Sequence, residues 1–159
     1  VLPNYQTKIV ELEQLIRDVA AWRLKSRKVV FTNGCFDVFH PGHLHIINQS
    51  ARLGDKLIVG LNSDSSVKKL KGESRPLHNE NARAELLASF VHVDRVVLFS
   101  EDTPIEIIQT LKPDYLVKGG DYTEETIVGS KQVAAYGGKI IVVPLLEGHS
   151  TTRIVDGLK

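Results

Sequence analysis

The sequence has a single cysteine, Cys35. That excludes an internal disulfide framework and a cysteine-based zinc cluster, and it suits a reducing, cytoplasmic setting. It also lacks an excess of charge: 20 Lys plus Arg against 19 Asp plus Glu leave a formal net charge of +1. No global basic field would attract nucleic acid, so an anion site has to be local. No apolar run approaches the ~20 residues of a bilayer-spanning helix, so no membrane partner is expected. Residues 1–27 are charged and amphipathic rather than signal-like. Neither a dinucleotide G-x-G-x-x-G nor a Walker A G-x-x-x-x-G-K-[ST] is present. Internal repeats, low-complexity tracts and linkers are missing too. The 159 residues fit one domain with one sizeable core.

What is present alternates. Ile9, Leu12, Ile16, Val19 and Ala20 recur at helical spacing, which predicts an amphipathic helix over 8–24. Residues 1–27 then read as a helix appended to a domain over 28–159, either an appendage or an oligomer contact. Short Val- and Ile-rich runs predict strands at 28–32, 56–61, 95–99, 114–119 and 139–145. Helices are expected at 42–53, 81–90, from a Thr103–Glu106 capping box with Pro104 at the first helical position to Leu111, up to Tyr136, and after Ser150. Apolar strands without strict alternation are covered on both faces. The expected fold is therefore α/β: a Rossmann-like parallel five-stranded sheet with helices on both faces. Ligands of such sheets bind beyond the carboxyl ends of the strands, which singles out 33–43, 62–75, 100–102, 118–122 and 146–153.

The first of these loops reads Asn33-Gly34-Cys35-Phe36-Asp37, with Gly42 at the start of the next helix. Glycines let backbone amides approach a ligand, and a helix N-terminus with free N–H groups favours an anion. His40 and His43 flank Pro41-Gly42 so that both rings can face the strand ends and donate to phosphate oxygens. The alternative is a metal pair, but no third ligand stands at a familiar spacing. His45 reads as packing. Cys35 is a small turn residue or, less simply, a nucleophile beside His40. Asp37 either holds Mg²⁺ or caps the loop. Lys68, Lys69, Lys71 and Arg75 form the densest positive cluster in the chain, either a solvated face or a mobile phosphate-gripping lid that Arg83 could join. Lys118-Gly119-Gly120-Asp121 offers close backbone approach and an acceptor for sugar hydroxyls, or simply a tight turn. Ser150, Thr151, Thr152 and Arg153 read as a second phosphate cradle or an ordinary helix cap.

These motifs, in this order, resemble the HxGH nucleotidylyltransferase superfamily. Gly34–His43 matches its G-[TC]-F-D-x-x-H-x-G-H signature, and Ser150–Ile154 matches its C-terminal [ST]-[ST]-T-x-[IL] signature. Within it, "FTNGCFDVFHPGHL", "GLNSDSSVKKLKGESRP", "EDTP", "LVKGGDYTEETIVGSKQV" and "STTRIV" resemble the D-glycero-β-D-manno-heptose 1-phosphate adenylyltransferase family. The resemblance covers about Lys28 to Lys159. In many bacteria such a domain is half of a bifunctional heptose kinase/adenylyltransferase; here a free-standing enzyme is expected.

The resemblance implies adenylyl transfer from ATP to a heptose 1-phosphate, toward lipopolysaccharide core or related glycans. ATP and the sugar 1-phosphate would be the ligands, Mg²⁺ would accompany ATP, and a homo-oligomer is expected. By the same resemblance, Asn33, Gly34, Cys35, Phe36, His40, Gly42, His43, Lys118, Gly119 and Arg153 would bind the nucleotide. Ser150, Thr151 and Thr152 would take its β and γ phosphates. His40, His43 and Lys68 or Lys71 would serve the reacting phosphates. Asp37, Asp64, Arg75, Arg83, Gly120 and Asp121 would face the acceptor. The alternative is a cytidylyltransferase for glycerol 3-phosphate or another alcohol phosphate. Relatives of that kind carry Arg-Thr-Glu-Gly-Ile-Ser-Thr-Thr, whereas this chain has Leu145 where that Arg would align.

Overall fold

Five runs of β-branched and aromatic residues form one sheet. The computed structural model describes residues 4–120, 122–144 and 146. The strands are β1 (Val29–Gly34), β2 (Lys56–Asn62), β3 (Arg95–Phe99), β4 (Tyr115–Gly119) and β5 (Lys139–Val143), in the order β3-β2-β1-β4-β5. Every pairing is parallel. The helices are α1 (Leu12–Leu24), α2 (Pro41–Ala51), α3 (Asp64–Lys71), α4 (Glu80–Ser89), α5 (Ile105–Leu111) and α6 (Ser130–Ala135). Alternate residues of each strand feed opposite faces. Val29 and Phe31 pack with α1, α5 and α6 through Leu15, Val19, Ile108, Leu111 and Val133. Val30, Val59 and Val117 pack with α2 and α4 through Ile47, Ala84, Leu87 and Ala88. This two-sided burial is why the strands read as continuous apolar runs.

The sheet is tied at its amino ends by aspartates that immediately precede β2, β3 and β4. Asp55 accepts from Lys28 N–H at 2.8 Å, Asp94 from Leu57 N–H at 2.9 Å and Asp114 from Val29 N–H at 2.9 Å. Each carboxylate satisfies an amide at a strand's start. Residues 9 and 10 run beside the outer strand: Ile9 bridges Val96 in parallel, and Val10 N–H donates to Val96 C=O at 3.0 Å.

Two expectations need revision. Helix α3 was not foreseen; the lysine cluster stands on it rather than in a free loop. Its start is fixed by Ser63, whose side chain accepts from Ser66 N–H. The capping box at Thr103 does not form: Pro104 itself is the N-cap residue of α5 and no side-chain cap bond is made. The expected helix after Ser150 and the strand end at Leu145 lie outside the described residues.

Helix α1, expected as an appendage, packs directly on the sheet. Leu15 is 0% and Val19 3% exposed, both within the core cluster beneath β1 and β3. Asp18 on α1 also pairs with Arg95 on β3 at 2.7 Å. One side of α1 is thus consumed inside the domain through Leu15 and Val19, while Ile16, Ala20 and Leu24 remain exposed. Leu15→Ala is expected to cost about 3 kcal/mol, the central cost of emptying a buried leucine site. Urea unfolding checks this, and a loss below about 0.5 kcal/mol would mark α1 as peripheral.

Candidate active site

The strand order places a topological switch at β1, since successive connections run outward from it in opposite directions. Crevices form at the carboxyl ends on either side of such a switch. A cavity of about 430 Å³ lies there. Its floor is Thr32 to Phe36 at the end of β1, with Lys118 and Gly119 at the end of β4 and Asn62 from β2. His43 and Ile46 of α2 supply one wall, and Leu70 and Lys71 of α3 a second. Asp102, Thr103 and Pro104 after β3, and Tyr122, Thr126, Ile127 and Val128 after β4, complete the rim.

The floor depends on a close approach. A Cβ on Gly119 would collide with the Ile46 side chain, so glycine alone lets β4 end against α2. At the other side Phe36 adopts φ +46°, a left-handed conformation unusual for a bulky residue. Its ring packs 5.1 Å from the His43 ring, which in turn stacks on His40 at 3.8 Å.

The two histidines divide their labour. His40 is the N-cap of α2, and its Nδ1 accepts from Gly42 N–H at 3.1 Å. His43 N–H donates to His40 C=O at 2.9 Å. Those two amides at the helix start are therefore already committed, contrary to the expectation of free N–H groups there, and Gly42 is buried. Of the pair, His43 lines the cavity. Burial pushes its imidazole down to about 3, with help from His40 and from the Lys71 ammonium. At neutral pH His43 is an uncharged ring that can donate one hydrogen bond without carrying charge. Its Nδ1 is buried with no hydrogen-bond partner among the described residues.

Positive charge comes from two lysines. Lys71 stands exposed on the α3 wall, and Lys118 lies on the floor with its ammonium 3.4 Å from Asn33 C=O. Burial holds Lys118 below its ordinary value. Lys68 is exposed and does not line the cavity; Lys69 makes a surface pair with Asp102 at 3.6 Å, worth little energetically. Cys35 is half-buried on the floor among backbone groups, as a small turn residue would be.

Four of the residues expected to meet the acceptor form pairs within the fold, Asp37 with Arg75 and Asp64 with Arg83. Arg83, 1% exposed, donates to Cys35 C=O at 2.6 Å, Asn62 C=O at 2.8 Å, His78 C=O at 2.9 Å and Asp64 Oδ1 at 2.7 Å. Asp37 accepts from Leu77 N–H at 2.7 Å, His78 N–H at 3.0 Å and Arg75 Nε at 2.6 Å. Burial alone would raise the Asp37 carboxyl, but the His78 amide, Arg75 and the Leu77 amide hold it below its ordinary value. None of Asp37, Asp64, Arg75 and Arg83 lines the cavity. Their opposite charges pair with one another. Gly120, with φ +135°, donates its N–H to Val143 C=O at 3.1 Å. Asp121, Ser150, Thr151, Thr152 and Arg153 lie outside the described residues. Of the walls after β3 and β4, Asp102 and Tyr122 fall within the loops singled out from the sequence, whereas Thr103, Pro104, Thr126, Ile127 and Val128 were not expected in the site.

A family model described as cytidylyltransferase-like matches residues 31–157. The chain belongs to the cytidylyltransferase-like family. Members with curated names include the bifunctional protein HldE of Gluconobacter oxydans (strain 621H), 54% identical over 95% of this chain and 32% of that protein. HldE of Caulobacter vibrioides is 53% identical over 94% of this chain and 31% of its own length. The chain thus spans about a third of these relatives. Among solved structures, a lipopolysaccharide core biosynthesis protein from Thermoplasma volcanium superposes with TM-score 0.61 at 27% identity, covering 77% of this chain and 99% of that one. Pantoate-beta-alanine ligase from Francisella tularensis, solved with beta-gamma ATP and beta-alanine, superposes with TM-score 0.67 over 93% of this chain and 72% of that one. At 16% identity this second likeness concerns the fold alone. The switch-point cavity is where a cytidylyltransferase-like fold presents its strand ends.

His43 supplies a pH signature. A histidine held below its ordinary 6.5 binds fewer protons folded than unfolded. Its stabilising contribution is therefore complete above that value and is lost as pH falls toward about 3. Substituting His43→Asn is expected to flatten part of the stability decline over that window, read from urea midpoints at successive pH values. The His43 ring resonances should stay constant between about pH 5 and 8; a midpoint near 6.5 would show that the ring is solvated.

Proposed function

We propose that this chain transfers an adenylyl group from ATP to D-glycero-β-D-manno-heptose 1-phosphate, releasing pyrophosphate and forming ADP-heptose for lipopolysaccharide core or related glycans in the cytoplasm. The observation that carries the proposal is the switch-point cavity lined together by His43, Lys71 and Lys118, in a chain of the cytidylyltransferase-like family. The HldE relatives and the motifs quoted above supply the adenylyl and heptose choice.

In the proposed reaction an acceptor phosphate oxygen attacks the α-phosphorus in line, and the bond to pyrophosphate breaks. A sugar phosphate is ionised at neutral pH, so no general base is required. Positioning and charge stabilisation then supply the acceleration. Neutral His43 donates a hydrogen bond as oxygen charge builds, while Lys71 and Lys118 balance the anionic phosphates. Residues 150–153 are assigned to the β and γ phosphates by resemblance.

Mg²⁺ is proposed to arrive with the triphosphate and to neutralise the leaving pyrophosphate. The donor set fits that form better than a protein cage. Among the described residues no three His, Cys, Asp or Glu side chains converge, and Asp102 is the carboxylate on the cavity rim. Magnesium keeps waters and phosphate oxygens readily. Assembly as a homo-oligomer belongs to the same proposal and is read by light scattering.

Pyrophosphate release measured with ATP or CTP, each paired with heptose 1-phosphate or glycerol 3-phosphate, tests the assignment. Turnover confined to ATP with the heptose is expected. Preference for CTP, the nucleotide suggested by the family's description, would replace it. His43→Ala should keep the fold and lower turnover by at least ~100-fold, as removal of a transition-state donor does. Turnover near wild type in the folded variant would remove His43 from the chemistry.

A further inference from the structure

Asp37 has no exposed side-chain surface, and the strap between α3 and α4 (residues 72–79) meets both its oxygens. The strap leaves α3 immediately after Lys71. It turns at Gly72, whose φ is +97°, and Arg75 N–H closes the turn on Gly72 C=O at 3.1 Å. The guanidinium of Arg75 then reaches Asp37 Oδ2 through Nε at 2.6 Å and Nη2 at 2.5 Å. On the other side, Asp37 directly follows Phe36, whose ring rests against His43. The pair therefore joins the strap after Lys71 to the loop that leads into α2 and its His43, at a separation of 38 residues.

We propose that Asp37 and Arg75 are a positioning pair, a buried latch that sets the spacing of His43 and Lys71 across the cavity. The inference rests on the nucleotidyl-transfer reading of that cavity. It also decides between the two sequence readings of Asp37. A Mg²⁺ ligand needs a free carboxylate oxygen, and here Leu77, His78 and Arg75 occupy both. Freeing one would leave the Arg75 charge unpaired at a site where only 13% of its side chain is exposed, a costly outcome for a buried pair. Without the latch the strap loses its anchor on the phosphate loop, while Arg83 still ties Cys35 to α4. The fold then persists with the two walls less well registered.

Asp37→Asn, Arg75→Met and the double variant test this by steady-state kinetics, a Mg²⁺ titration and amide hydrogen exchange over residues 34–43. Each single variant is expected to lower kcat by roughly 10²-fold, the cost of a misplaced reacting group. KM values and the Mg²⁺ midpoint should stay unchanged. The double variant should be no worse than the weaker single, because the two residues act as one unit. Exchange over 34–43 should quicken in all three. Additive losses, a Mg²⁺ midpoint displaced by Asp37→Asn but not by Arg75→Met, or wild-type kcat in folded Arg75→Met would overturn the latch. Should Asp37→Asn not fold, Arg75→Met still tests it, because the two backbone amides on Asp37 remain. Should wild type turn over no nucleotide at all, the functional reading fails, and exchange alone decides the latch: unaltered protection in Arg75→Met overturns it.

Discussion

The site hangs on one buried guanidinium. Arg83 is almost fully removed from water, and an uncompensated charge at that depth would unfold the region around it. It is tolerated because its N–H groups find four acceptors: three carbonyls and the Asp64 carboxylate. Two of those carbonyls, Cys35 and Asn62, terminate or follow β1 and β2. The planar fork of arginine thus spans the ends of neighbouring strands, which lysine with its single ammonium would not do. Through Cys35 it holds the loop beside the left-handed Phe36, and through His78 it holds the strap before α4.

Around it the electrostatics are divided by depth. The groups beneath the loops are mutually paired, Asp37 with Arg75 and Asp64 with Arg83. The groups that open on the cavity are a neutral imidazole, two lysines with no carboxylate partner among the described residues, and on the rim Asp102, which pairs with Lys69. A near-neutral chain can therefore still present a local attraction for phosphate, which is what the balanced composition required.

Much of this was legible in the sequence, for reasons that also explain the omissions. Strands covered on both faces must be apolar throughout, so Val29–Phe31 and Leu57–Val59 stand out without any partner being known. The loop positions after β1 and β4 follow from chain direction in a parallel sheet, and they lead to Cys35, His43 and Lys118. Helix α3 escaped because its buried side is small, chiefly Ser66 and Val67, and four of its eight residues are charged. The pairing of Asp37 with Arg75 and of Asp64 with Arg83 was not legible for a different reason. A charged residue near a strand end looks the same in sequence whether it faces a ligand or another charge. Only the fold brings Arg75 within bonding distance of a carboxylate 38 positions earlier. Likewise Thr103 and Glu106 have the spacing of a capping box, yet Pro104 takes the cap position in the folded chain.

The segment at Ile9 and Val10 has a consequence beyond packing. Exposed border strands offer unpaired amides and carbonyls onto which another chain can zip. Here β3 is that border, and the main chain before α1 already occupies Val96. The molecule thus carries its own guard against sheet extension on this flank. Loosening residues 4–11 would convert the domain into a template for its own association at β3.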